Sequence, residues 1–153
     1  MQNANIKNEI ERKFLIKKVV FIQEDKNLFS SWNKLKQKID SREGGKIFLH
    51  TREVWWCSLG VNVGGEINGK NELYERPCLM LNVYNKDMAL VLPITSIEKK
   101  DKFHYEIILD NGKKVYVKLT QVRVISTKRV IRKISTLNKE DFKNIKEKMR
   151  DYV

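Results

Sequence analysis

At 153 residues, with 31 Lys and Arg against 19 Asp and Glu, the chain carries a net charge of +12 at pH 7. It has the length of one domain, able to bury about two-thirds of its unfolded surface without a disulfide or a metal, and its field draws polyanions, nucleic acid first among them. Two cysteines inside apolar runs and two histidines without ligand-spaced neighbours exclude a disulfide framework, a redox pair and a zinc or catalytic histidine cluster, so neither cofactor nor metal is expected.

Residues 1–40 read as helical. Ile6, Ile10 and Phe14 recur every four residues, and Leu28, Trp32, Leu35 and Ile39 resume the pattern beyond Val19-Val-Phe-Ile22 and Glu24-Asp25, which predicts two helices with a break. Ser41-Arg-Glu-Gly-Gly45 ends the helical period. The expected division is a helical extension over 1–45 and a second unit over 46–153. The helices are open to three roles: packing on that unit, extending a dimer, or binding a partner. No segment approaches the roughly 18 apolar residues of a membrane span, and the N-terminus lacks a signal-peptide core, so a cytoplasmic protein with no membrane partner is expected.

From Lys46 short apolar runs follow one another between turn residues, the pattern of a small barrel or sandwich rather than of βαβ units. Glu53-Val-Trp-Trp-Cys-Ser-Leu59 is the first strand, and alternation sends Trp55 and Trp56 to opposite faces. Residues 60–74 form a loop holding four of the seven glycines, too long for a mere hairpin connection. Strands at 76–84 and 88–94, joined by Asn85-Lys-Asp87, place Arg76 and Thr95 at one end of an antiparallel pair. Pro93 cannot donate to a ladder, so pairing is expected to loosen before Thr95 and leave its hydroxyl turned outward. Asp110-Asn-Gly112 marks a second hairpin, between an arm with Phe103, Tyr105, Ile107 and Leu109 and one with Val115, Val117 and Leu119. A short strand over Gln121–Ile125 comes next, and Asn138 caps a final helix whose Phe142, Ile145 and Met149 form one stripe. His50 and His104, each alone, are expected on the surface or in turns.

This order of parts resembles the MazF/PemK family of toxin endoribonucleases. The likeness runs from about Arg52 to Met149. Arg52-Glu-Val-Trp-Trp-Cys-Ser-Leu-Gly60 is similar to the family's opening strand, Gly65-Glu66 to its loop element, and Glu75-Arg-Pro-Cys-Leu-Met-Leu81 to its arginine-proline strand. Leu92-Pro-Ile-Thr-Ser96 resembles the strand ending in a functional threonine, and Thr120-Gln-Val-Arg123 the glutamine-x-arginine element. Gly65 and Thr120 stand where some members carry a histidine and an acid, and Lys118 where some carry arginine.

The resemblance implies a mainly β, α+β fold: an SH3-like small barrel of the MazF/PemK/CcdB kind with a C-terminal helix and an added N-terminal helical segment. It further implies a homodimeric toxin of a type II toxin-antitoxin system, with an acidic antitoxin partner. Its implied activity is metal-independent, sequence-selective cleavage of single-stranded RNA, leaving 2′,3′-cyclic phosphate and 5′-hydroxyl ends. Arg76 and Thr95 are then the catalytic pair. The guanidinium suits the developing phosphorane charge, because it stays protonated and grips two oxygens; the hydroxyl suits a phosphate oxygen. Glu66, Ser96 and Gln121 are supporting candidates. Lys70, Tyr74, Lys86, Lys99, Lys100 and Lys102 are candidates for RNA contact, since single strands need cations and aromatic faces. Two other readings compete: a toxin of the same fold that poisons DNA gyrase, and a silent RNA-binding barrel.

Overall fold

The computed structural model describes residues 2–44 and 46–152. The chain begins with one α-helix, α1 (Gln2–Asp40), rather than two. The segment contains neither Gly nor Pro, so nothing interrupts the backbone ladder where the apolar period lapses. The helix is about 58 Å long at 1.5 Å per residue. Trp32 and Ile39 near its end are buried, while Ile10, Phe14, Leu15 and Ile16 are exposed.

Seven strands follow: β1 (Glu53–Ser58), β2 (Glu75–Val83), β3 (Met88–Thr95), β4 (His104–Ile108), β5 (Lys114–Lys118), β6 (Arg123–Ser126) and β7 (Val130–Thr136). A second α-helix, α2 (Lys139–Met149), closes the described chain with a short 3-10 turn after it. Hydrogen-bonded neighbours run β4-β5-β3-β2-β1-β7, with β6 on β3. Every paired strand is antiparallel, and no ladder among the described residues joins β4 to β7, so the sheet does not close on itself. Sequence reasoning assigned no strand to 130–136, which pairs with β1.

The edge of β3 changes partner along its length. Met88–Val91 face β6, and Ile94–Thr95 face β5. Pro93 falls between the two stretches, where a missing N–H removes no ladder bond on that edge. The β2 ladder thus ends at Pro93, before Thr95, while on the other edge pairing runs through Thr95 with β5. Thr95 is buried, 4% exposed, so its side chain does not turn outward as the proline had suggested.

Apolar side chains pack on both faces of the sheet. On one, Val54, Leu79, Leu92, Ile94 and Val117 meet Ile145 and Met149 of α2. On the other, Cys57, Cys78, Met80 and Val91 lie under Leu59, Ile67, Ile125 and Val130. Both cysteines are free and buried; burial, and then Cys78, pushes the Cys57 thiol well above its ordinary value. The α2 N-terminus is capped as its sequence requires, Asn138 accepting from the Asp141 N–H at 2.8 Å. Among the described residues no helix is long and apolar enough to cross a membrane.

Candidate functional site

Cys78 is opposite Pro93 in the β2–β3 register. The ladder ends at that pair, and Arg76, two residues before Cys78, and Thr95, two residues after Pro93, lie at the same end of the two strands. The tight turn at the other end fixes this register. Asn85 Oδ1 accepts from the N–H groups of Asp87 at 2.8 Å and Met88 at 3.0 Å, the side-chain-to-backbone turn that asparagine favours.

Arg76 is half-buried, and the loop over 60–74 aims it: its Nε–H donates to the Asn68 carbonyl at 2.6 Å. Among the described residues its two Nη groups have no partner. Loss of water lowers its pKa from the ordinary arginine value, yet a guanidinium remains a cation at any working pH. Thr95 Oγ1 accepts from the Ile97 N–H at 3.2 Å, which leaves the hydroxyl hydrogen free to be donated.

The loop is anchored at both ends. Tyr74 O accepts from Leu59 N–H at 2.9 Å and Gly60 N–H at 3.2 Å, and Gly69 N–H donates to Gly60 O at 2.8 Å. Gln121 clamps its middle, accepting from the Ile67 N–H at 2.7 Å and donating to the Gly65 carbonyl at 3.1 Å. Gln121 thereby ties the loop to the segment that follows β5. Glu66 is exposed and accepts from the Val63 N–H at 3.2 Å.

Two clefts flank the site. One, of about 220 Å³, brings Arg76 and Ser96 together with Lys70, Asn71, Trp56 and Pro77. The other, of about 480 Å³, brings Glu66 and Gln121 together with Gly65, Ile67, Thr120 and Arg123.

Two expected contacts lie elsewhere. Tyr74 packs edge-on against Trp32 of α1 at 5.6 Å, and its hydroxyl donates to the Leu28 carbonyl at 3.4 Å; its ring braces the helix and is not a free stacking platform. Lys86 sits in the β2–β3 turn, a strand's length from Arg76, where its carbonyl accepts from Thr127 at 2.7 Å. Glu75, next to Arg76 in sequence, faces the other way and is held bidentately by Arg132, at 2.9 Å for both contacts. Lys99, Lys100 and Lys102 are exposed on the loop that leaves Thr95; Lys100 pairs with Glu98 at 3.2 Å.

His104, expected alone on the surface or in a turn, instead opens strand β4 with its side chain largely buried and paired. His104 Nδ1 lies 2.7 Å from Asp101 Oδ1, and that contact leads the causes that pull the Asp101 carboxyl below its ordinary value. The signal was a carboxylate three residues before a lone histidine, readable only once the segment is known to turn back on itself.

The structure is thus that of a small, basic, mainly β domain with an open cleft in which Arg76 and Ser96 meet Lys70 and Trp56. Residues 50–153 match the family described as PemK-like, MazF-like toxin of type II toxin-antitoxin system, and the chain belongs to that family. Helix α1 lies outside the match. A MazF of Deinococcus radiodurans is similar in structure, with a TM-score of 0.60, 18% identity, and coverage of 70% of this chain and 97% of its own. A mycobacterial endoribonuclease solved with its cognate antitoxin has a TM-score of 0.54 at 9% identity, covering 68% and 93%. The Mycobacterium tuberculosis toxin MazF-mt6 has a TM-score of 0.51 at 15% identity, covering 65% and 94%. At such identities the likeness is one of fold. No curated protein matches the chain in sequence.

Proposed function

We propose that the chain is an endoribonuclease toxin that cleaves single-stranded RNA at the Arg76–Thr95 cleft. The observation that carries this reading is an arginine aimed by Asn68, with both Nη groups unpartnered among the described residues, at the strand end it shares with Thr95. RNA supplies its own nucleophile, the 2′-hydroxyl, so the protein has only to hold it in line, stabilise the phosphorane charge and manage two protons. Arg76 takes the charge and the Thr95 O–H donates to a phosphate oxygen at the rim. Such a reaction needs no metal and yields a 2′,3′-cyclic phosphate and a 5′-hydroxyl. Glu75 is occupied by Arg132, which leaves Glu66 as the carboxylate nearest in role to a base.

The net charge of +12 suits both the substrate and an acidic antitoxin that covers the same cleft. A homodimer and a cytoplasmic setting complete the reading. Incubating the pure protein with a long transcript in EDTA tests it: fragments with 5′-hydroxyl ends, lost in Arg76→Ala, support it. Intact RNA together with altered gyrase supercoiling overturns it in favour of a poison. RNA that is bound and left intact overturns it in favour of a silent binding barrel.

A further inference from the structure

Helix α1 lies outside the residues that match the family, yet its C-terminal end is packed on the loop that aims Arg76. Trp32, 8% exposed, meets the Tyr74 ring edge-on at 5.6 Å and lies directly against Gly60, so one indole touches both ends of the 60–74 loop. Leu28, one helical turn earlier, accepts from the Tyr74 hydroxyl at 3.4 Å. Arg129 stands over the indole at 5.5 Å and donates from Nη1 to the Ser58 carbonyl at 3.0 Å, which ties the same contact to β1.

Tyr74 has a φ of +47°, a left-handed backbone that disfavours a bulky residue, and such strain persists only where the surroundings over-determine it. They do so here: Trp32 and Leu28 hold the side chain, and the N–H groups of Leu59 and Gly60 hold the carbonyl. From that crossing the path to the guanidinium is short. Gly60 O accepts from the Gly69 N–H at 2.8 Å, a close approach that requires glycine, because a Cβ on residue 69 would collide with the Tyr74 carbonyl. Asn68, the neighbouring residue, accepts the Arg76 Nε–H at 2.6 Å. The carbonyl that aims Arg76 is therefore fixed by a crossing of the loop ends that α1 clamps.

We infer that Trp32 is a positioning residue for Arg76, acting through Gly60, Gly69 and Asn68, so that the N-terminal helix belongs to the catalytic apparatus. The inference rests on the RNA-cleaving reading of the site. A guanidinium donates in one fixed plane, so a loop that relaxes by about an ångström turns both free Nη groups off the phosphate, a displacement able to cost about 100-fold in rate. The grip strengthens as the phosphorane charge develops, so the loss falls on kcat rather than on KM.

The test is a set of full-length variants read by cleavage kinetics on a defined RNA and by hydrogen exchange in solution. In Trp32→Ala, kcat falls about 10- to 100-fold with KM little changed, and Trp32→Phe, which keeps an aromatic ring there, recovers most of it. The Gly69 amide and the Arg76 Nε–H exchange faster, while the Leu79 and Leu92 amides of the sheet keep their protection. Trp32→Leu, which leaves the helix end packed, carries the same expectations and is read wherever Trp32→Ala is not fully folded. In an Arg76→Lys background, which already lacks the Asn68 bond, Trp32→Ala costs less than about twofold, the non-additivity of two residues acting as a unit. An equal loss in both backgrounds, or an Arg76 Nε–H that exchanges as in wild type, overturns the inference. A wild-type chain that leaves RNA intact sinks the nuclease reading instead, and the Arg76 Nε–H still decides whether Trp32 aims it.

Discussion

Arg76 donates its Nε–H to the Asn68 carbonyl at 2.6 Å, so the guanidinium is aimed by the loop that lies over it rather than by a counterion. Its charge is therefore not cancelled before a phosphate arrives. Arg76→Lys keeps the charge but loses both the Asn68 bond and the two-pronged grip. Cleavage by Arg76→Lys and Arg76→Ala is expected to fall about 100- to 1000-fold, with thermal unfolding little changed, as measured by initial rates on a fluorescent RNA and by a melt.

Thr95 calls for a sharper test, because its oxygen also serves the backbone by accepting from Ile97 at 3.2 Å. Thr95→Ser retains that acceptor and the donor hydrogen, and is expected to retain cleavage. Thr95→Val removes both, costing about 1 kcal/mol of stability for the lost turn bond and abolishing cleavage. If Thr95→Val unfolds earlier but still cleaves at the wild-type rate, the hydroxyl is a structural cap and the chemistry belongs to Arg76 alone.

The strands that hold these two residues are legible in the sequence because their apolar runs are punctuated by turn chemistry, Asn85-Lys-Asp87 and Asp110-Asn-Gly112. Strand β7 is not, since Arg132 and Lys133 interrupt Val130-Ile131 and Ile134 and blur the two-residue period. Those charges have tertiary reasons: Arg132 holds Glu75 and Lys133 holds Glu53 at 2.6 Å. Proline at 93 misleads for a related cause, the handover of one strand edge between two partners, which no local pattern encodes. Tyr74 is visible as an aromatic beside a loop, but its commitment to Trp32 depends on a helix 42 residues earlier.

That helix is docked through a glycine. Gly60 has φ of +88°, and a Cβ added there would lie 2.2 Å from the Trp32 ring, while Arg129 covers the ring at 5.5 Å. Gly60→Ala meets both an unfavourable backbone and a wall of indole, and is expected to cost about 2 kcal/mol or more. Trp32→Ala removes the same contact from the other side at about 3 kcal/mol. Limited proteolysis should then cut within 28–40 in both variants, before the strands are attacked. Equal resistance in wild type and variants would mean that this contact does not hold α1.

Glu53 gives the fold a dependence on acid that is separable from the site. Burial raises its pKa, but hydrogen bonds from Lys133 at 2.6 Å, the His50 N–H at 2.9 Å and the Trp55 indole at 2.9 Å outweigh that and leave it below the ordinary glutamate value. A carboxyl whose folded pKa lies below its unfolded one adds stability that is whole above the unfolded value, about 4.3, and is lost as pH falls through the folded value. Glu53→Gln should therefore be less stable than wild type by about 1–2 kcal/mol at neutral pH. The gap should narrow steadily as urea midpoints are followed down from pH 6 to pH 3, roughly the range that brackets both protonation steps. A gap that stays constant across that range would show that packing around residue 53, and not its charge, is what the substitution removes.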